Sequence, residues 1–156
     1  MGQKVQEKYF EIVMLLERLH RLFLDVVKAE LDRNRIVDIN NVQCMILYNI
    51  GKTKLTVGEI SNRGYYLGSN VTYNLKKMVE NGYLVQEQAP HDRRSSTIQL
   101  SKKGEAIYNQ IDELIKRHLQ NLPRNNVPPE DLDKLLRTLE NLETFWSFML
   151  TRELRL

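Results

Sequence analysis

The feature that most constrains the fold is a helical apolar repeat at each end of the chain. Between residues 5 and 33, apolar side chains recur at steps of three and four, which predicts a long amphipathic helix. A second run follows the sequence VPPED, whose prolines and acids suit the first turn of a helix. The apolar positions are Tyr9, Val13, Leu16, Leu19, Phe23, Val26 and Val27 in the first run and Leu132, Leu135, Leu139, Leu142, Trp146 and Met149 in the second.

These two stripes have two interpretations, an ordinary intrachain core or a surface for self-association. A chain of 156 residues is long enough for a single domain, 1–156, with one core. We favour self-association, because a compact middle segment cannot easily cover two long stripes. Residues 1–35 and 105–156 are therefore predicted to form dimerisation helices, with Val13, Leu135, Leu139, Leu142, Trp146 and Met149 at the interface.

The middle segment, 40–104, is built from shorter elements. A helix capped by Asn40 or Asn41 is predicted to end near Gly51, and a short second helix is capped by Thr56. A third helix ends at Gly82. Two strands follow, YLVQEQ and SSTIQLS, joined by a corner at Pro90, and helix resumes from Gly104.

This order of helix, helix, turn, helix and hairpin is that of a winged helix-turn-helix. The predicted fold class is therefore mainly α with a small β-hairpin wing, in which the winged helix-turn-helix lies between long N- and C-terminal dimerisation helices. The charge distribution agrees with a polyanionic partner. Between Gly51 and Gly104 there are nine basic and four acidic residues, a net charge of +5, whereas the whole chain carries +3.

The third predicted helix has two chemically different faces. The apolar residues Val71, Leu75, Met78 and Val79 fall on one side, and polar side chains fall on the other. Short donors and acceptors near the N-terminal end suit base edges, and lysines one turn later can reach phosphates. Ser69 has a second interpretation as a helix N-cap. The candidate DNA-binding residues of this helix are Ser69, Asn70, Thr72, Tyr73, Lys76 and Lys77.

The sequence HDRRSS places two adjacent arginines beside the predicted corner of the hairpin. A hairpin beside a helix in the major groove faces the neighbouring minor groove, where arginine is favoured. Asp92 can hold a guanidinium group in a bidentate pair, which lowers the rotamer entropy lost on binding. The alternative is a solubilising hairpin tip. With the preceding helix in place we favour a DNA-binding wing formed by Asp92, Arg93 and Arg94.

These residues resemble the MarR family of bacterial transcriptional regulators. The wing of that family reads Asp, any residue, Arg, a few residues, Leu, Thr or Ser, two residues and Gly. Here the matching residues are Asp92, Arg94, Leu100, Ser101 and Gly104. The stretch SNVTYNLKKMVENGYL is similar to the recognition helix of the family. The resemblance covers nearly the whole chain.

What the resemblance implies is a homodimer that binds a pseudo-palindromic operator in double-stranded DNA, with its two recognition helices in successive major grooves. By position, the family's DNA contacts fall on Ser69, Asn70, Thr72, Tyr73 and Arg94. Family members are usually repressors released by a small ligand or by oxidation. An apolar or aromatic small-molecule effector is therefore an expected partner, although the ligand-site residues vary too much in the family to be matched here.

Other classes of function have less support. His20, His91 and His118 are isolated, and the sequence has no glycine-rich phosphate loop and no zinc-ligand spacing. We therefore expect neither an enzyme nor a bound metal or other cofactor. A helical module that binds protein through its winged helix is the remaining alternative, and the basic middle segment disfavours it.

Cys44 is the one cysteine of the chain and cannot form an intramolecular disulfide. This usage, and the lack of an apolar run long enough for a signal peptide or membrane span, predict a cytoplasmic protein with no membrane partner. The apolar neighbours of Cys44 predict a buried structural thiol. The alternative is an oxidant sensor, since some members of the MarR family sense oxidants through a cysteine.

Overall fold

The computed structural model describes residues 2–63, 69–89 and 92–153. The chain divides into two compact units, one that ends at Asp112 and one that begins at Glu113. Within the described ranges it forms six α-helices, one short 3-10 helix and one three-stranded antiparallel sheet. The expectation of a mainly α fold with a small hairpin is confirmed.

The first unit begins with α1 (Gln3–Arg33), which matches the predicted amphipathic helix closely. The next helix, α2 (Asn41–Ile50), starts with a capping box. The Asn40 side chain accepts from the Gln43 N–H at 2.8 Å, and the Gln43 side chain accepts from the Asn40 N–H at 3.1 Å. Asn40, rather than Asn41, is therefore the N-cap. Gly51, with a φ of +64°, ends the helix where the sequence predicts.

The remaining elements of this unit follow in the predicted order with one addition. Thr56 caps the short helix after it, as predicted, and forms a capping box with Glu59. The elements are β1 (Leu55–Thr56), α3 (Val57–Asn62), α4 (Ser69–Glu80), β2 (Leu84–Ala89), β3 (Asp92–Leu100) and α5 (Lys102–Asn121). Strand β1 was not predicted, because a two-residue strand shows no periodicity.

The sheet has the strand order β1-β3-β2. The pairing places Leu55 opposite Ile98 and Leu84 opposite Leu100, so the long strand β3 forms the centre of the sheet. Strand β3 begins at Asp92, earlier than the predicted stretch SSTIQLS. The backbone of the two arginines therefore belongs to the strand, next to an irregularity in the pairing at Gln88 and Ala89.

The core of the first unit surrounds α2. Cys44, Ile46, Leu47 and Ile50 are all buried on this one helix. Further buried side chains come from the other elements, namely Val27 and Leu31 of α1, Val71, Leu75 and Met78 of α4, Ile98 of β3, and Ile107 and Ile111 of α5. Full burial of a Leu, Ile or Met side chain contributes about 1.5 to 3 kcal/mol, so this core anchors the apolar face of α4.

The second unit contains the end of α5, a short 3-10 helix (Pro123–Asn125) and α6 (Pro129–Glu153). Asn126 has a φ of +61° and ends the 3-10 helix in the left-handed region. Helix α6 opens with Pro129 at its first position and Glu130 and Asp131 in its first turn. These residues suit a helix N-terminus, as the sequence VPPED predicts.

Candidate nucleic-acid and self-association surfaces

Helix α4 is the candidate recognition helix, and its two faces differ as predicted. Val71, Leu75 and Met78 are at most 3% exposed, and the helix contacts α2 and β2. The opposite face presents Asn70, Thr72, Tyr73 and Lys76, all exposed to solvent, with Tyr73 at 60%. This exposed face is available to a partner of the chain.

Some polar side chains of α4 form hydrogen bonds within the helix, and others do not. The Asn74 side chain donates to the Asn70 carbonyl oxygen at 2.7 Å. Lys77 pairs with Glu80 at 2.9 Å, and this bond raises the pKa of Lys77. Lys76 forms no hydrogen bond or ion pair with the residues that the structure describes. Of the two candidate lysines, Lys76 is thus the one whose ammonium group is not already paired.

Ser69 already lies within the described part of α4, so its backbone does not occupy the N-cap position that one interpretation assigned to it. The side chains of Ser69, Asp92, Arg93 and Arg94 lie outside the described residues. Their contacts, including the expected pair between Asp92 and an arginine, remain predictions. The backbone of Asp92 pairs with Ala89, which places the two arginines at the end of the hairpin where the strands meet.

The body of the hairpin is held by cross-strand pairs. The Gln86 side chain donates to the Ser96 hydroxyl at 2.8 Å. Lys54, just before β1, forms an ion pair with Glu87 of β2, so it spans the sheet. These side-chain contacts lie across the sheet, and the backbone pairing of β3 with β1 and β2 connects the hairpin to the rest of the unit that contains α4.

The C-terminal end of α4 is closed by a Schellman motif. The Tyr83 N–H donates to the Met78 carbonyl at 2.8 Å, and the Gly82 N–H donates to the Val79 carbonyl at 3.0 Å. Gly82 has a φ of +77°, which a residue with a side chain rarely adopts. The chain therefore turns sharply from the recognition helix into β2.

Beyond this turn lies a polar cluster that we call the Asp38 junction, formed by Asp38, Asn81, Tyr83 and Lys103. The Asp38 carboxylate accepts hydrogen bonds from the Tyr83 hydroxyl and from Lys103 Nζ, the latter at 2.5 Å. Lys103 Nζ also donates to the Asn81 carbonyl at 3.0 Å and lies 4.2 Å from the centre of the Tyr83 ring. The Asn81 side chain donates to the Asp38 carbonyl at 2.8 Å.

Protonation in the Asp38 junction follows from these contacts. The Lys103 and Tyr83 hydrogen bonds hold the pKa of Asp38 below its ordinary value of 3.8. Burial and the Asp38 carboxylate raise the pKa of Tyr83, so its hydroxyl stays protonated and donates. Nothing in the sequence pattern pointed to this cluster, because its members are up to 65 positions apart.

Two residues of the predicted wing motif, Ser101 and Gly104, contact the turn after α4 and the start of α5. The Ser101 hydroxyl accepts from the Gly104 N–H at 3.0 Å and caps α5. It lies 2.6 Å from the Gly82 carbonyl oxygen, to which it donates. A Cβ atom on Gly104 would lie 2.2 Å from the Tyr83 carbonyl oxygen, so only glycine allows this approach.

Cys44 is fully buried in α2, as predicted. Burial raises the pKa of its thiol to about 12, so the thiolate form is rare near neutral pH. A small cavity near this helix, lined by Ile46, Ile50, Leu55 and Arg63 among others, has a volume of about 10 Å³. That volume is at most the space of one water molecule and does not suit an organic ligand.

Apolar side chains also reach the surface of α1. Only its C-terminal end is buried, through Val27, Glu30 and Leu31. Val13 is half-buried. Towards the N-terminus the helix exposes Val5, Tyr9, Phe10, Ile12, Met14, Leu15, Leu19, Leu22 and Val26. An exposed apolar surface of this extent is characteristic of an interaction site.

Helix α6 of the second unit presents a similar surface. Of the residues predicted for the dimer interface, Leu139 and Leu142 are half-buried. Leu135, Trp146 and Met149 are exposed, together with Leu136, Phe145, Phe148 and Leu150. Within the described ranges, no helix could cross a membrane, and no group of three His, Cys, Asp or Glu side chains is arranged to hold a metal ion.

The chain is similar in sequence to known transcriptional regulators. A family model described as the MarR family matches residues 37–95. The exopolysaccharide II synthesis transcriptional activator ExpG from Rhizobium meliloti (strain 1021) is 34% identical over 138 residues, which cover 88% of this chain and 71% of the relative. The uncharacterized HTH-type transcriptional regulator YkoM from Bacillus subtilis (strain 168) is 33% identical over 97 residues, or 61% of this chain and 60% of the relative.

Solved structures share the fold. Streptococcus pneumoniae FabT in complex with DNA aligns with a TM-score of 0.72 at 22% identity, covering 90% of this chain and 99% of that one. Staphylococcus aureus MarR in complex with salicylate and kanamycin aligns with a TM-score of 0.72 at 19% identity, covering 92% and 93%. A mutant MarR from E. coli complexed with operator DNA gives 0.69 at 18% identity, covering 86% and 95%.

Proposed function

The chain belongs to the MarR family of transcriptional regulators, and we propose that it binds a specific double-stranded DNA operator as a homodimer. The observation that carries this proposal is the exposed polar face of α4, which lies over a buried apolar face. The winged helix-turn-helix fold supports it, as do the solved structures of this fold that contain DNA. Regulation by DNA binding, rather than catalysis, also agrees with the names of the relatives.

Within this proposal the residues of α4 have separate roles. Asn70, Thr72 and Tyr73, together with Ser69, contact base edges in the major groove. Lys76 contacts a phosphate, and Lys77 does so only after it leaves Glu80. The wing residues Asp92, Arg93 and Arg94 reach the adjacent minor groove, with Arg94 as the inserted side chain.

The proposed homodimer explains the exposed apolar side chains. Segments 1–35 and 105–156 of a single regulator domain act as dimerisation helices, and the winged lobe 40–104 contacts DNA. The interface includes Val13, Leu135, Leu139, Leu142, Trp146 and Met149. A twofold dimer requires an operator with two inverted half-sites, because each subunit reads one half.

We further propose that an apolar or aromatic small molecule regulates DNA binding in the cytoplasm. One protein of this fold is described in complex with salicylate and kanamycin, which supports a small-molecule effector. The effector must bind the DNA-free conformation more tightly than the DNA-bound one. The expected result is a compound that raises thermal stability and weakens operator binding, and a compound that only stabilises the protein is not the effector.

The sign of regulation has two candidates. The family resemblance favours a repressor, whereas the Rhizobium meliloti relative is named an activator. A reporter gene with the operator placed first over the promoter and then upstream of it separates the two. A repressor lowers expression from the first arrangement, and an activator raises expression from the second.

DNA binding itself is tested by a mobility shift of a random duplex at increasing salt. We expect binding at low salt. The logarithm of the observed association constant should fall linearly with the logarithm of the salt concentration. Tyr73→Ala should leave this nonspecific binding nearly unchanged but weaken binding to a selected operator. A protein-binding helical module would give no shift at any salt concentration, and that result would refute the proposed function.

A further inference from the structure

We propose that Asp38 is a positioning residue for DNA binding, which fixes the C-terminal end of the recognition helix without contacting DNA. The Asp38 junction joins three segments that are distant in sequence. Asp38 lies between α1 and α2, Asn81 and Tyr83 lie in the turn after α4, and Lys103 lies in the first turn of α5. The carboxylate of Asp38 is the acceptor shared by Tyr83 and Lys103.

The exposure of the ion pair favours a positional role over a stabilising one. The side chains of Asp38 and Lys103 are 47% and 48% exposed, and ion pairs this exposed contribute little to stability. Tyr83, in contrast, is only 1% exposed, and its hydroxyl donates to Asp38. The hydrogen bond between this buried tyrosine and the Asp38 carboxylate fixes the position of the turn after α4.

The position of that turn matters because base recognition demands accuracy. Hydrogen bonds to base edges need side chains placed within about 0.5 Å of the productive geometry. Helix α4 packs on the core through apolar contacts. Such contacts are not directional, so they allow the C-terminal end of the helix to shift. A loosened end must be ordered when DNA binds, and that ordering lowers affinity. The junction removes this cost by holding the turn before DNA arrives.

Lys103 belongs to the basic middle segment, but its geometry disfavours a phosphate contact. Its ammonium group already donates to Asp38 and to the Asn81 carbonyl, and it lies over the Tyr83 ring. An ammonium group has three donors, so two are used and the third side faces an aromatic ring. Lys103 therefore acts on DNA binding through the turn.

The test compares Asp38→Asn with a matched control, Asp32→Asn. Asp32 forms an exposed ion pair with Lys28 at 2.6 Å on α1, so both variants lose one carboxylate from an exposed pair. Because the change in net charge is the same, any nonspecific gain in DNA affinity cancels. Relative to the control, Asp38→Asn should bind an operator selected by the wild type roughly 3- to 30-fold more weakly. Affinity for random duplex and the salt slope should match the control.

Lys103→Met supplies an independent variant. If Lys103 positions the turn, this substitution should weaken operator binding to a similar extent and leave the salt slope unchanged. The double variant Asp38→Asn/Lys103→Met should bind the operator no more weakly than the weaker of the two single variants. If Lys103 contacted a phosphate, its loss would reduce the slope by about one per subunit. Asp38→Glu should restore part of the affinity, and circular dichroism at the binding temperature confirms folding.

Because this inference rests on the proposed DNA binding, the wild type is measured first. A wild type that binds no duplex refutes the proposed function. A wild type that binds its operator, with Asp38→Asn as tight as Asp32→Asn and Lys103→Met as tight as its charge-matched control Lys28→Met, refutes only the positioning role. A reduced salt slope in Lys103→Met would likewise overturn it, by assigning that lysine to the DNA backbone.

Discussion

The winged lobe and the N-terminal part of α1 use apolar side chains in opposite ways. In the lobe, Ile46, Leu47 and Met78 are at most 1% exposed. On α1, Phe10 and Leu19 are 64% and 50% exposed, although the helix is regular from its first turn. The lobe buries its apolar side chains in its own core, whereas the N-terminal part of α1 exposes apolar side chains that the proposed homodimer would cover.

The largest effect is expected from Leu19→Asp, which tests the α1 side of this comparison. A carboxylate buried at the proposed dimer interface should cost about 3 to 5 kcal/mol per subunit, because it has no partner there. The variant should sediment as a monomer at micromolar concentration, and its operator binding should fall accordingly. Leu19→Met is the matched control and should remain dimeric, since it conserves volume and polarity. Should the wild type itself sediment as a monomer, the dimer proposal is wrong.

Leu47→Ala tests the lobe. Removal of a fully buried side chain should lower the free energy of unfolding by about 2 to 5 kcal/mol, because the core cannot close the cavity. Denaturant unfolding measures this change. Leu19→Ala, which removes the same atoms from an exposed position of α1, should affect dimerisation rather than the lobe. A loss of less than about 1 kcal/mol in Leu47→Ala would contradict a self-sufficient core.

Gly104→Ala tests the link between the lobe and the start of α5. The added Cβ would lie 2.2 Å from the Tyr83 carbonyl oxygen, so the backbone must shift. We expect a loss of about 1 to 3 kcal/mol in stability, as in other overpacked sites. Gly58→Ala is the control, since its added Cβ meets no atom closer than 3.9 Å. Equal stability of the two variants would show that this close approach is not required.

A smaller effect separates the two lysines of α4. Lys76→Ala should weaken binding to all duplexes about equally and reduce the salt slope by about one per subunit, as the loss of a phosphate contact does. Lys77→Ala should change the slope less, because Lys77 is paired with Glu80 in the free protein. Mobility shifts at several salt concentrations measure both slopes. A larger change for Lys77 than for Lys76 would reverse the assignment.

The smallest effect is expected at Cys44. Because burial raises the pKa of this thiol to about 12, peroxide should not alter DNA binding through it. Cys44→Ala should therefore respond to peroxide as the wild type does. Release of DNA by peroxide that disappears in this variant would identify Cys44 as a sensor.

The local features of the fold could be predicted because their causes are local. Two helices begin at Asn40 and Thr56, whose side chains accept hydrogen bonds from backbone groups three residues later. Two helices end at Gly51 and Gly82, which have positive φ angles. The faces of α4 follow from helical spacing alone. Strand β1 could not be predicted, because Leu55 is extended through its pairing with Ile98, far along the chain.

A sequence motif points to the candidate wing, but it does not show which of its residues belong to the turn after α4. The motif that resembles the family wing also contains Ser101 and Gly104, and the structure assigns these two to the cap of α5 and the Tyr83 carbonyl. The Asp38 junction has no sequence pattern, because Asp38 meets Tyr83 and Lys103 only after the lobe has folded. The DNA contacts of the wing remain predictions.

The proposed regulator reads DNA through the exposed residues of α4, and its apolar helices α1 and α6 pair in a homodimer. Selection of bound duplexes from a random pool by the purified protein tests both parts in one measurement. We predict enrichment of two inverted half-sites whose centres lie about 34 Å apart, one turn of the duplex. An unselected pool, or a single half-site with no inverted partner, would contradict it.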